Sequence, residues 1–83
     1  MELIKVESAT YVKDFIIHFK FNNGIEKNLN LEPELWGEVF EPLKDVTFFK
    51  KFKLNAWTIE WDNGADFSPE FLFSHLPDCS IVQ

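Results

Sequence analysis

The chain has few of the residues from which metal, disulfide and phosphate sites are usually built. Its 83 residues include one cysteine and two histidines, and all eight basic residues are lysine. The single thiol of Cys79 cannot form an internal disulfide. No pair of residues has the His-x-x-x-His or Cys-x-x-Cys spacing of zinc sites, and no guanidinium fork is present for phosphate or guanine. We therefore predict no metal, no cofactor and no catalytic set.

Long apolar runs are also missing. No stretch approaches the roughly 18 apolar residues that a membrane helix requires. The first residues, Met-Glu-Leu-Ile-Lys-Val-Glu, lack the basic and apolar regions of a signal peptide. The sequence thus predicts a cytoplasmic protein without membrane association.

The chain has little positive charge, and its net charge is −6. This charge opposes binding to phosphate backbones, so we expect no direct contact with nucleic acid. A basic protein partner suits the charge better. Acidity is also a common route to solubility, so the charge alone does not establish a partner.

Aromatic residues are what the chain has in quantity, with ten phenylalanines and three tryptophans. We expect one domain over residues 1–83, with 78–83 as a flexible tail. A chain of this length buries roughly 60% of its unfolded surface. Since each large ring buries about 150–250 Å², the aromatic side chains should form much of the core.

Alternating apolar residues predict a strand over residues 15–21, after a shorter strand near residues 2–8. Asn22-Asn23-Gly24 then predicts a hairpin turn. A two-residue loop would place Lys20 opposite Lys27, whereas a three-residue loop with left-handed Gly24 places it opposite Glu26. Because opposite charges stabilise a cross-strand pair, we predict the three-residue loop.

Short elements are predicted between the first hairpin and the C-terminus. They comprise a helical turn over residues 32–37, a tight turn at 41–43 and a helix over 46–51 capped by Asp45. Phe52 and Leu54 should point inward on a following strand.

Residues 57–76 carry the densest structural signals of the chain. They predict a strand with Trp57, Ile59 and Trp61 on one face, a turn at 62–64, and a final helix. Ser68 should cap that helix, Pro69 should take its first position, and its buried stripe should comprise Leu72, His75 and Leu76. The chain is thus predicted to be α+β: a small, mainly antiparallel sheet (an N-terminal strand plus two hairpins), short helices and a capped C-terminal helix.

Three segments of the chain resemble the domain of unknown function 2442 family. Residues 19–31 contain Phe-x-Phe-Asn-Asn-Gly followed by Leu-x-Leu, and residues 39–45 read Val-Phe-x-Pro-Leu-Lys-Asp. The most specific segment, residues 58–72, reads Thr-Ile-Glu-Trp-Asp-Asn-Gly-Ala-Asp-Phe-Ser-Pro-Glu-Phe-Leu. The resemblance implies a small bacterial α+β domain with no assigned activity and no catalytic residues to transfer.

The same resemblance implies two kinds of biological context. Some relatives carry a helix-turn-helix DNA-binding domain, which suggests a transcriptional regulator. Some stand-alone relatives are similar to members of toxin–antitoxin-like gene pairs, which suggests a protein partner.

The candidate functional residues are mostly in the 57–76 stretch. Asp66 has two possible roles. In the functional one it is a general base or a contact for a basic partner. In the structural one its side chain accepts hydrogen bonds from backbone N–H groups and ties the turn to the last helix. The other candidates are Trp36, Trp57, Trp61, Asn63 and Gly64. Either Trp36 or Trp57 should be exposed, and an exposed tryptophan among acidic residues suits an interface.

Three hypotheses follow from these residues. The first is a non-enzymatic protein-interaction module, and the second is a small-molecule binder or enzyme that uses Asp66 with Asp62. The third, a regulator, rests on the fused relatives alone. A homo-oligomer is also open, because the face with Ile16, His18 and Lys20 or a free sheet edge could pair with a second copy.

Overall fold

The structure is a computed structural model, and it describes residues 3–75. Within this range, two antiparallel sheets and several short helices form an α+β fold, as predicted. The strands are β1 (Val6–Lys13), β2 (Ile16–Phe21), β3 (Glu26–Asn30), β4 (Lys53–Leu54) and β5 (Ile59–Glu60). The helices are α1 (Val46–Phe49), α2 (Pro69–Ser74), and two 3₁₀ helices, Glu32–Glu34 and Glu38–Lys44. Cys79 and the predicted tail at 78–83 lie outside the described residues.

The larger sheet is a meander with the strand order β1-β2-β3. In its second hairpin Lys20 pairs with Glu26, and the Phe21 N–H donates to the Ile25 carbonyl at 2.9 Å. Gly24 has a φ of 86°, which is the left-handed conformation. The three-residue loop is therefore confirmed.

The first strand is longer and begins later than predicted. β1 runs to Lys13 because it pairs with β2 up to that residue, with Ala9 opposite Phe19 and Lys13 opposite Ile16. The register shifts between Val6 and Ser8 and again between Tyr11 and Lys13. The chain then reverses at Asp14, whose φ of 48° is unusual for a residue other than glycine. The Asp14 carbonyl accepts a hydrogen bond from the Tyr11 hydroxyl at 3.0 Å.

The core lies between one face of the larger sheet and the remaining elements. Its largest fully buried side chains are Trp61, Phe19, Phe21, Phe49, Ile17, Leu29, Leu31, Leu43, Ile59 and Leu72. Trp61 also satisfies a buried polar group, since its indole N–H donates to the Phe49 carbonyl at 2.7 Å. The end of α1 is thereby tied to β5.

The middle of the chain departs from the predictions in three places. The tight turn expected at 41–43 is part of the 3₁₀ helix Glu38–Lys44, which includes Pro42. Asp45 caps α1 as predicted, but the helix ends at Phe49. Leu54 lies on a two-residue strand and is 49% exposed, so the inward position predicted for it is wrong.

The strand predicted through Trp57 is also shorter. The side chain of Asn55 accepts hydrogen bonds from the N–H groups of Trp57 and Thr58, both at 2.8 Å, and so folds this segment into a turn. As a result Trp57 faces outward while Thr58 is buried, and the Thr58 hydroxyl donates to the Phe67 carbonyl at 2.7 Å. Side-chain capping of the backbone overrides the period-two pattern here.

The last helix follows its sequence signals at its start. Ser68 caps α2 by accepting from the Phe71 N–H at 3.1 Å, and Pro69 takes the first position. Leu72 is buried, whereas His75 is exposed and stacks on Phe71, so the predicted stripe does not include His75. Leu76 lies outside the described residues. No helix within residues 3–75 has the length and apolar character needed to cross a membrane.

Candidate functional site

An open groove of about 300 Å³ lies between two segments that are distant in sequence. One segment contributes residues 34–40 and the other contributes residues 66–71. The groove, called the acidic groove below, is lined by Glu34, Trp36, Phe40, Asp66, Phe67, Ser68 and Phe71. Its volume is at the lower end of the range for ligand pockets, so it suits one side chain or a small molecule.

Aromatic rings form the base of the acidic groove. The Phe40 and Phe67 ring centroids are 5.1 Å apart, and Phe67 stacks on Phe71 at 5.9 Å with an interplanar angle of 13°. Phe67 is buried, and its ring also meets Trp61 edge to face at 6.0 Å. The base is therefore anchored in the core.

Trp36 lines the acidic groove as a largely exposed ring. Its side chain is 71% exposed, although the preceding Leu35 is buried in the core. The first 3₁₀ helix ends at this point, and Gly37 follows with a φ of 93°. The buried Leu35 and the left-handed Gly37 thus fix the backbone on both sides of Trp36.

Two carboxylates give the groove its negative charge. Glu34 is half-buried at the end of the first 3₁₀ helix. Asp66 is exposed, and its backbone forms an isolated antiparallel β-bridge with Glu60. Neither carboxylate forms an ion pair or a side-chain hydrogen bond with any residue from 3 to 75. Asp62, by contrast, pairs with Lys53 at 2.8 Å, and this pairing raises the pKa of the Lys53 ammonium.

The side chain that ties this turn to a neighbouring element is that of Asn63, and it reaches the second 3₁₀ helix rather than the last helix suggested for Asp66. The Asn63 side chain accepts from the Ala65 N–H at 3.1 Å and donates to the Val39 carbonyl at 2.8 Å. It thereby ties the turn to the second 3₁₀ helix, while Gly64 provides the left-handed position with a φ of 90°. Asp62 does not line the acidic groove, so the structure does not bring it to the same pocket as Asp66.

The three tryptophans have three different environments. Trp61 is 2% exposed and belongs to the core. Trp57 is 49% exposed, and the Lys5 ammonium lies 4.9 Å from its ring centroid. Its carbonyl accepts from the Val6 N–H at 2.8 Å, which fixes it against the start of β1. Among the candidates, therefore, only Trp36 and Asp66 line the acidic groove.

His18 forms side-chain hydrogen bonds on the face of the larger sheet that points away from the core. Its two ring nitrogens lie 2.7 Å from the Asn28 side-chain oxygen and 2.9 Å from a Glu26 carboxylate oxygen. The hydrogen bond with His18 lowers the pKa of Glu26. No group of three or more His, Cys, Asp and Glu residues is placed to hold a metal ion anywhere in the range 3–75.

Sequence reasoning missed five residues as parts of a site: Glu34, Phe40, Phe67, Ser68 and Phe71. Glu34 lies in the segment predicted as a helical turn, Ser68 was predicted only as a helix cap, and the three phenylalanines belong to motifs of the family resemblance. The available signal was the Trp36-Gly37 pair, a large apolar residue directly before a left-handed turn on an acidic segment.

The model of one protein family matches most of the chain. That family is described as "Protein of unknown function (DUF2442)", and the match spans residues 6–78. No curated protein and no solved structure matches the chain. All the residues that line the acidic groove lie within the matched span.

Proposed function

This chain belongs to the DUF2442 family of proteins of unknown function, and we propose that it is a non-enzymatic module that binds a basic protein partner. The observation that carries the proposal is Trp36, a ring 71% exposed beside two carboxylates without ion pairs in the described chain. Tryptophan is one of the residue types enriched among the hot spots of protein interfaces.

Charge complementarity argues for a basic partner. The net charge of −6 attracts a basic surface over a distance of about one Debye length. At the groove itself the carboxylates of Glu34 and Asp66 both attract a cation. The same charges exclude an acidic partner. In the finer form of the proposal, the partner is the other member of a toxin–antitoxin-like pair.

An alternative is a small-molecule binder or enzyme that uses Asp66. It is supported by the volume of the groove and by a carboxylate in its lining. Beside its two carboxylates and Ser68, the lining contains no histidine, cysteine or lysine to activate a nucleophile. We therefore favour the interaction module.

Co-expression with the product of the adjacent gene tests the proposal. The two proteins should purify together, and Trp36→Ala should weaken the complex about 30-fold, as expected for an interface hot spot. Trp57→Ala is the matched control, because it removes an exposed tryptophan outside the acidic groove. The proposal is wrong if no complex forms, or if both variants weaken the complex equally.

A further inference from the structure

Two aromatic rings of this chain are each covered by one of its own lysines. The Lys5 ammonium lies 4.9 Å from the centroid of the Trp57 ring. The Lys27 ammonium lies 4.5 Å from the Phe73 ring and also donates to the Phe73 carbonyl. A cation placed over an aromatic ring is attracted by the negative charge of its face.

Trp36 is more exposed than either of those rings, and no cation of residues 3–75 covers it. No lysine lines the acidic groove. Residues 76–83, Leu-Pro-Asp-Cys-Ser-Ile-Val-Gln, contain no basic side chain either. The groove thus combines aromatic faces with the carboxylates of Glu34 and Asp66, and this chain supplies no lysine or arginine to it. Such a site is complementary to a cation from another molecule.

The form of the groove favours a guanidinium over an ammonium. Four of its seven lining residues are aromatic, and a guanidinium is the more weakly hydrated of the two cations, so it loses less hydration energy on entering. A planar guanidinium also stacks on an exposed aromatic face such as that of Trp36. Its several N–H groups reach two carboxylates at once, whereas an ammonium acts as a point charge.

We propose that the acidic groove binds a single arginine side chain of the partner protein. This inference rests on the proposed function, since it names the partner group that occupies the groove. The guanidinium stacks on Trp36 and donates to Glu34 and Asp66, and its aliphatic stem covers the Phe67–Phe71 pair. The chain itself has no arginine, so a second copy of it cannot supply this group.

N-acetyl-arginine amide is the probe for a direct test on the full chain. Titration followed by the NMR signal of the Trp36 indole N–H should give a dissociation constant on the order of 10 mM at low salt. The lysine counterpart should bind about threefold more weakly. The neutral citrulline counterpart, which keeps the shape without the charge, should give no saturable shift.

Variants of the lining separate the groove from the rest of the surface. Glu34→Gln and Asp66→Asn should each weaken binding of the arginine probe about twofold to fivefold. Trp36→Ala, observed through neighbouring backbone amides, should have an effect of similar size. Asp62→Asn is the matched control, because this exposed carboxylate lies outside the groove, and it should leave binding unchanged. Circular dichroism confirms that each variant is folded.

The results show separately whether the arginine assignment fails and whether the proposed binding of a partner fails. If citrulline binds as well as arginine, or Asp62→Asn weakens binding as much as Asp66→Asn, the arginine assignment is wrong. If the arginine probe leaves the groove signals unchanged while Trp36→Ala still breaks the partner complex, the function stands and the occupant is wrong. Binding of the probe in the absence of any partner complex refutes the proposed function alone.

Discussion

Replacement of Trp61 by phenylalanine tests whether the buried indole is essential for stability. The change keeps an aromatic ring but removes the N–H that donates to the Phe49 carbonyl at 2.7 Å. Trp36→Phe is the matched control, because the same atoms are removed from a ring that is 71% exposed.

The expected loss for Trp61→Phe is about 2–4 kcal/mol of the free energy of unfolding. An unpaired buried carbonyl costs about 1–3 kcal/mol. The void beside Phe49, Phe52 and Phe67, whose rings all contact the indole, adds about 1 kcal/mol. A protein of this length has a total stability of about 4–12 kcal/mol, so the variant should lose a large part of it.

Urea unfolding followed by far-UV circular dichroism measures this loss without relying on tryptophan fluorescence. Trp61→Phe should lower the midpoint strongly and the melting temperature by at least about 8 °C. Trp36→Phe should stay within about 0.5 kcal/mol of the parent. A loss below about 1 kcal/mol for Trp61→Phe would refute the assignment of the indole hydrogen bond as a buried, stabilising contact.

Two further predictions concern carboxylates and their neighbours. Asp66→Ala should change the free energy of unfolding by less than about 0.5 kcal/mol, whereas Asn63→Ala should cost about 1–2 kcal/mol because two hydrogen bonds are lost. The reverse order in urea unfolding would restore the structural role to Asp66. Hydrogen bonding to His18 lowers the pKa of Glu26 below its ordinary value of 4.5. The pair therefore stabilises the folded protein at pH values above 4.5. This contribution is lost as the pH falls through the pKa that Glu26 has in the folded protein. Urea midpoints between pH 5 and pH 3 should therefore decline less steeply for Glu26→Gln, and parallel curves would contradict this linkage.

Local and pairwise signals in the sequence predicted much of the fold. The hairpin register followed from a comparison of two pairings, since only one of them placed Lys20 opposite Glu26. The start of α2 followed from Ser68 and Pro69, because a capping side chain and a proline act within one turn. These features depend on residues that are close in sequence.

The inward position predicted for Trp57 is wrong because the alternation of apolar and polar residues does not show where a side chain will bond to the backbone. Asn55 bonds to two backbone N–H groups and bends the chain, so Trp57 and Ile59 do not share a strand face. The role of Asp66 stays a prediction, but local signals also did not rank it against Asn63 as the residue that binds the turn. Both Asn63 and Asp66 have side chains able to bind the turn, and only the path of the chain places Asn63 against Val39.

Signals between residues close in sequence could not predict the acidic groove. Its lining comes from residues 34–40 and 66–71, and their proximity results from the packing of Phe40 on Phe67. An amphipathic pattern indicates that each phenylalanine is inside, but it does not indicate which ring it meets.

The β1-β2-β3 order has a consequence for the route of folding. In a meander each strand pairs with its neighbour in sequence, so the larger sheet forms with short loop closures, which favours early formation. The hydrogen bond from the Val6 N–H to the Trp57 carbonyl closes a much longer loop. We therefore expect the transition state to contain the meander, and the two segments of the acidic groove to come together after it.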